Sequence, residues 1–248
     1  MRHRNTRFII AADSHGDQID PVAEKAIMAF IADYRPEIRI HLGDAWDFRN
    51  LRKGASDDEK AESLAEDWEM GANFTRGFFS GGKINHFLRG NHDERLFDLQ
   101  TSATGILRDY ARDAVTRFNQ HIKRCKANMM PYDSRQGILR LGHLKCIHGY
   151  ASGKGAASVH ARVYRHCIYG HTHTIEAYPV ETDEGQKEAR GIGALCRIDM
   201  PYNSRHTNKL RHNNGWAYGV MFNDGTYQIW QTTRIGDNFY AAHEIKAY

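Results

Sequence analysis

The sequence predicts an α/β fold, and three observations carry the prediction. Runs of strand character stand at residues 8–12, 38–42 and 83–88. A stretch with helical spacing separates the first two. Each run ends on a cluster of acids, amides or histidines, which is where open α/β sheets keep their sites.

The first run, Phe8-Ile9-Ile10-Ala11-Ala12, reads as a buried strand. Asp20-Pro21 then supplies a helix cap and the residue favoured at the first helical position, and Val22, Ile27, Phe30, Ile31 and Tyr34 keep helical spacing up to Pro36. Residues 38–42 deliver Gly43-Asp44. From Ser56 to Phe74 the pattern is helical again, with Ser56 and Glu59 placed as a capping box and Ala61, Leu64, Ala65 and Trp68 on one face. The other face holds seven carboxylates against one lysine between Asp57 and Glu69 and reads as solvated. Residues 83–88 present Gly90-Asn91-His92-Asp93, and 95–130 read as helical.

After Pro131 the character changes. Paired strands are expected at 137–141 and 144–148, a loop and short helix at 153–164, and a strand at 166–169 feeding Gly170-His171-Thr172-His173. From Ile192 the chain reads as further strands, including a hairpin that turns at Asn223-Asp224-Gly225. With no repeat, low-complexity tract or clear linker, residues 1–248 are expected to form a single domain. Residues 192–248 would be its β-rich completion, finishing the second sheet or offering an edge for a dimer contact.

Composition narrows the class. With 41% hydrophobic residues the chain can bury a sizeable core, and global disorder is excluded. The net charge of +4 permits an anionic partner without demanding one. Cys125, Cys146, Cys167 and Cys196 show no CxxC spacing, so neither a zinc ribbon nor a thioredoxin motif is present, and they read as reduced thiols of a cytoplasmic protein. The apolar run behind the basic N-terminus is too short for a signal-peptide core, and no run reaches the length of a membrane span.

Five segments carry chemistry: Asp13-Ser14-His15, Gly43-Asp44-Ala45-Trp46-Asp47, Gly90-Asn91-His92-Asp93, His148-Gly149 and Gly170-His171-Thr172-His173. Each supplies oxygen or imidazole donors suited to divalent first-row metals. In an extended strand end, Asp13 and His15 would point to the same side. Asn91 offers a neutral amide oxygen, which limits the negative charge facing an anionic substrate.

In this order the segments resemble those of the calcineurin-like metallophosphoesterases, with motifs covering roughly residues 8 to 175. The resemblance implies an αββα sandwich of two mixed β-sheets flanked by helices, and two divalent ions, manganese foremost, with iron, zinc, cobalt or nickel as alternatives. The first ion would take Asp13, His15, Asp44 and His173; the second Asp44, Asn91, His148 and His171. Asp44 would bridge the pair, which together would neutralise the phosphate and ionise a bridging water. His92 would stabilise the transition state or protonate the leaving alkoxide, with Asp93 orienting it. Asp47 reads as a partner for a ligand histidine, because metal-bound imidazoles usually donate their other N–H to an oxygen. Arg49 and Arg52, with Lys53 beside them, are candidates to contact substrate phosphate. His41, His86, His143, His160 and His166 read as structural or surface residues.

Where the protein phosphatase branch of that superfamily carries GDxVDRG and GNHE, this chain has Phe48 in place of the arginine and Asp93 in place of the glutamate. The pattern is more similar to the nuclease and phosphodiesterase branches. It also departs from the lipid-precursor hydrolases, which tend to have arginine where His92 stands. A phosphodiester substrate, nucleic acid or nucleotide, is therefore expected, with a phosphomonoesterase as the alternative and a non-catalytic binding protein as a third reading. Cationic residues at Arg108, Arg112, Arg117, Lys123, Arg124 and Lys126, and at Arg205, Lys209 and Arg211 beside Tyr202 and Trp216, are placed to guide a polyanion.

Overall fold

A computed structural model describes residues 5–183, 185–198 and 210–242. In chain order its elements are β1 (Thr6–Ala11), α1 (Pro21–Tyr34), β2 (Ile38–His41), α2 (Asp57–Ala61), α3 (Leu64–Phe79), β3 (Ile84–Leu88), α4 (Asn91–Ser102), α5 (Gly105–Arg124) and β4 (Ala127–Met130). There follow β5 (Leu139–Leu141), β6 (Leu144–Ile147), α6 (Ala156–Tyr164), β7 (Cys167–Tyr169), β8 (Ile175–Thr182), β9 (Gly185–Ile192), β10 (Gly215–Met221), β11 (Tyr227–Ile235) and β12 (Asn238–Tyr240). Tyr202, Arg205 and Lys209 lie outside the described residues.

Two mixed sheets form. The first runs β12-β11-β10-β1-β2-β3-β4, the second β5-β6-β7-β9-β8. Strands β1 to β4 are parallel, with Phe8 opposite Ile38 and Leu88 opposite Met130, while β10 joins the other side of β1 antiparallel. In the second sheet β6, β7 and β9 are parallel, and β5 and β8 are antiparallel edges.

Strand β1 explains the layering. Ile9 and Ala11 pack with α1, α3 and α5, whereas Phe8 and Ile10 pack with Ile38 and Ile40 of β2 and with Leu144, Cys146, Ile168 and Ile192 of the second sheet. A strand buried on both faces reads as a continuous apolar run, and this one does. On the far side of the second sheet, Ile147, Cys167 and Tyr169 pack against Ala157, Ala161 and Tyr164 of α6. The order is helices, sheet, sheet, helix: the expected αββα sandwich.

Several expected boundaries move. The helix read over 56–74 is two helices, since Glu62 turns extended (φ −69°, ψ 145°) and Ser63 caps α3 afresh by accepting the Ala65 N–H. This break carries Asp67 off the acidic face into the interior, where its carboxylate accepts the N–H groups of Asp47 (3.0 Å) and Phe48 (2.8 Å). The helical region begins at Asn91, not 95, and is interrupted at Ala103 and Thr104. Its last residues form β4, a long-range parallel partner of β3 that no local period reveals. The hairpin β8–β9 had no counterpart in the sequence reading. Strands β10 to β12 extend the first sheet, because β10 takes the open edge of β1 with Tyr218 opposite Ile9. No helix among the described residues is long and apolar enough to cross a membrane.

Candidate metal centre

The site lies beyond the C-terminal ends of five parallel strands. β1 leads to Asp13 and His15, β2 to Asp44, β3 to Asn91, β6 to His148, and β7 to His171 and His173. The backbone there is not extended. Asp13, His15, Asp44, His171 and His173 all occupy the left-handed region, with φ between 51° and 66°. Non-glycine residues in that region cost on the order of 1 kcal/mol or more each, and surrounding structure must over-determine them. It does so here: the Asp13 carboxylate accepts the His171 N–H at 2.9 Å, the His15 N–H donates to Asp44 O at 2.9 Å, and Asp13 N–H donates to Gly43 O at 3.0 Å. Glycine is required at 90, where a Cβ would stand 2.1 Å from Asp44 Oδ1, and at 170, where it would stand 2.6 Å from Asp13 Oδ2.

The seven proposed ligand residues converge. In one group His15 Nε2 is 3.2 Å from His173 Nε2, His173 Nε2 is 3.6 Å from Asp13 Oδ1, and His15 Nε2 is 4.0 Å from Asp44 Oδ2. In the other, His148 Nε2 is 3.3 Å from Asp44 Oδ2 and 3.0 Å from Asn91 Oδ1, which is itself 2.8 Å from His171 Nδ1. Asp44 stands between the groups, and its other oxygen accepts the His92 N–H at 2.7 Å.

This donor set fits divalent cations. His148 Nδ1–H donates to Leu42 O (3.0 Å) and His15 Nδ1–H donates to Asp47 Oδ1 (3.0 Å), so the Nε2 lone pair of each ring turns inward. There it meets another nitrogen or an oxygen acceptor, and such contacts call for a positive charge between them. Electrostatics agree. Burial opposes charge on His15, yet Asp47 and the neighbouring Cys196 and Asp44 raise its pKa to about 9. Asp44 is held well below the ordinary carboxylate range, because His148, His92 and His15 overcome the cost of its burial.

Asp93 departs from the expected role. Its carboxylate accepts four backbone N–H groups, from Asp44 (2.8 Å), Ala45 (3.1 Å), Trp46 (3.2 Å) and Gly90 (2.9 Å), and does not touch the His92 ring. As the third residue of α4 it folds back over the helix N-terminus, away from the ring. Burial and the charge of Asp44 push its pKa up to about 7. Asp47 holds His92 instead, with His92 Nδ1–H donating to Asp47 Oδ1 at 2.7 Å. The same oxygen receives His15, so one carboxylate ties a proposed ligand to the motif histidine. Burial lowers the pKa of His92.

A cavity of about 510 Å³ opens on the group, lined by His15, Asp44, Asn91, His92, His171 and His173 together with Arg49, Arg52, Glu59 and Arg95. Arg49 and Arg52 line it already paired. Arg49 makes a two-pronged contact with Asp17 (2.7 and 2.6 Å) and a further one with Glu62, and Arg52 spans both oxygens of Glu59 (3.0 and 2.7 Å). Arg95, which sequence reasoning passed over, is bound to Asp47 O at 2.8 Å and donates to His92 Nε2 at 3.2 Å. A helix starting at Asn91 places Arg95 one turn on, so the missed signal was the helix boundary. Of the histidines read as structural, buried His41 accepts the Gly43 N–H (3.2 Å) and buried His160 the Tyr150 N–H (2.9 Å), bracing the loops that carry Asp44 and His148.

No protein-family model matches this sequence, and no curated protein sequence matches it. Solved structures do resemble it. A single mutant of Vps29 from Entamoeba histolytica aligns at 11% identity over 93% of this chain and 100% of its own, with a TM-score of 0.41. Yfce, a phosphoesterase from E. coli, aligns at 15% identity over 91% of this chain and 98% of its own, with a TM-score of 0.39. Vps29 of Chaetomium thermophilum aligns at 9% identity over 92% of this chain and 95% of its own, with a TM-score of 0.39. Likeness this slight transfers no residue role and no activity to this chain.

Proposed function

We propose that the chain is a dinuclear metallophosphoesterase of the calcineurin-like superfamily that hydrolyses phosphodiesters of nucleotides or nucleic acid. The observation that carries the reading is the convergence of seven donors: His15, Asp44, Asn91, His171 and His173 line one cavity with His92 on its wall, and Asp13 and His148 are buried directly behind them, against His173 and Asp44. Divalent ions held there, manganese foremost, would neutralise phosphate charge and acidify water.

The chain's own groups supply the rest. His92 is kept from swinging by Asp47, and its Nε2, which accepts from Arg95, faces the cavity where it can take up a proton at the reacting phosphate. Arg95 lies within 3.2 Å of that nitrogen and is the one lining arginine without a carboxylate ion pair among the described residues. It is positioned to meet a phosphate oxygen. Pairing of Arg49 and Arg52 with acids leaves little unbalanced cationic charge, which favours a singly charged diester over a doubly charged monoester. Arg108, Arg112, Arg117, Lys123, Arg124 and Lys126 are exposed and support a polyanionic substrate.

The test compares manganese-loaded protein on bis(p-nitrophenyl) phosphate and p-nitrophenyl phosphate, with His92→Ala as control. Faster cleavage of the diester is expected, falling by about 10²–10⁴-fold in the variant. Preference for the monoester would replace the reading with a phosphatase. Silence on both with two ions bound would point to a non-catalytic binding protein.

A further inference from the structure

Cys196 belongs to the same cluster as the proposed ligands, although no motif contains it. It follows β9 on the segment Gly193-Ala194-Leu195-Cys196, and its side chain is buried. The donor atoms of His15, His173 and Cys196 all lie within 4.8 Å of one another, with Sγ 3.7 Å from His173 Nδ1. Cys146 and Cys167 instead pack in the apolar layers of the sheets, and Cys125 sits at the end of α5 beside His121.

The backbone holds Cys196 in place from several directions. Leu195 N–H and Cys196 N–H both donate to Asp13 O (3.1 and 2.9 Å), and Asn214 Nδ2 donates to Cys196 O at 2.7 Å. Next along the chain, Arg197 N–H donates to Gln18 O. The thiol is therefore fixed to the very residue, Asp13, that opens the site. The buried sulfur, on the Nδ1 side of His173, is close enough to both imidazoles to complete a mixed nitrogen and sulfur donor set.

We propose that Cys196 is a sulfur donor to the ion held by Asp13, His15, Asp44 and His173. The inference rests on the dinuclear reading above and deepens it. When the ion binds, the Sγ–H bond breaks, its proton passes to solvent, and the electron pair stays on sulfur to form the bond to the ion; no oxidation occurs. A thiolate is a soft ligand, so this position selects zinc or iron over manganese, while the position of Asp44, Asn91, His148 and His171, with two oxygens, two imidazoles and no sulfur, keeps a harder preference. The pair of ions would then be unlike, with zinc or iron favoured beside Cys196 and manganese favoured at the other position.

Cobalt(II) is the probe that separates the two claims. Titrated into metal-free protein, it should produce visible d–d bands from occupancy of the centre, and a near-ultraviolet thiolate-to-cobalt charge-transfer band if sulfur is bound. Cys196→Ser should lose the charge-transfer band and keep the d–d bands, whereas Cys146→Ser should keep both. Should the serine variant not fold, Cys196→Ala and the wild-type spectrum decide. Visible bands with no charge-transfer band in the wild type, or a charge-transfer band that survives in Cys196→Ser, overturns the role of Cys196 and leaves the dinuclear reading standing. The absence of any cobalt spectrum overturns both.

Discussion

His92 Nδ1 lies 2.7 Å from Asp47 Oδ1, and the same carboxylate oxygen is 3.0 Å from His15 Nδ1. Two imidazoles with different tasks thus share one acceptor. Both hydrogen bonds, working against burial, hold Asp47 far below the ordinary carboxylate range, so it is an anion at any working pH. Asp47→Ala is expected to lower metal affinity and turnover together, by about 10–100-fold each, as loss of an outer partner of a ligand histidine does. Thermal stability should change little beside that of Asp93→Ala, which strips the acceptor from four buried N–H groups and should destabilise by about 2 kcal/mol or more. Calorimetric metal titration and thermal melts of the two variants check the contrast, and equal melting losses would refute the division of labour.

Arg95 gives a second prediction. Its guanidinium reaches His92 and the cavity without a carboxylate ion pair among the described residues, whereas Arg49 is enclosed by Asp17 and Glu62. Arg95→Ala should reduce kcat/KM on a diester by about 1–3 kcal/mol in transition-state terms, the worth of a charged hydrogen bond. Arg49→Ala should act mainly on the stability of the loop and α2. Steady-state kinetics beside melting temperatures decide the matter, and a larger kinetic defect in Arg49→Ala would reverse the assignment.

Metal removal follows from the burial of the centre. An ion that binds the folded chain alone stabilises it by about 2.7 kcal/mol at a hundredfold excess over its dissociation constant. Chelation should therefore lower the melting temperature, and added manganese or zinc should restore it. Asp44→Asn removes the carboxylate that lies between the two groups of donors and should abolish most of that rise. A variant that still gains full stability from metal would place the ions elsewhere.

A fourth prediction concerns acid stability, away from the centre. His121 is buried between α3 and α5, where its Nε2–H donates to Thr75 Oγ1 at 2.8 Å. Burial first, then the charges of Arg76 and Arg124, lower its pKa to about 4. The unfolded chain takes up that proton near the ordinary value of 6.5, so between pH 6.5 and about 4 the unfolded state binds more protons. The stabilising contribution is complete above 6.5 and is lost as pH falls toward 4. By linkage the loss reaches up to about 2 kcal/mol at pH 5. Denaturant unfolding at pH 7 and pH 5 should show a smaller drop in His121→Gln than in the wild type; an equal drop would show that His121 is not the group responsible.

What the sequence determined by itself was local. Asp20 ahead of Pro21, the capping box of Ser56 and Glu59, and the turn at Asn223-Asp224-Gly225 each depend on neighbours a few residues away, and each is present in the structure. The apolar runs marked the strands whose ends gather the donors, although β2 also buries Arg39 and His41 and β3 buries Asn85. Tertiary packing decided the rest, through partners far apart in the chain. The break at Glu62 turned Asp67 inward, and β10 chose the edge of β1. Asp93 went to backbone amides while Asp47 took His92. Arg49 and Arg52 were claimed by carboxylates, and Cys196 was brought to His173. No local period encodes such choices, because each is settled by which buried hydrogen-bonding and charged groups find partners once the two sheets are packed together.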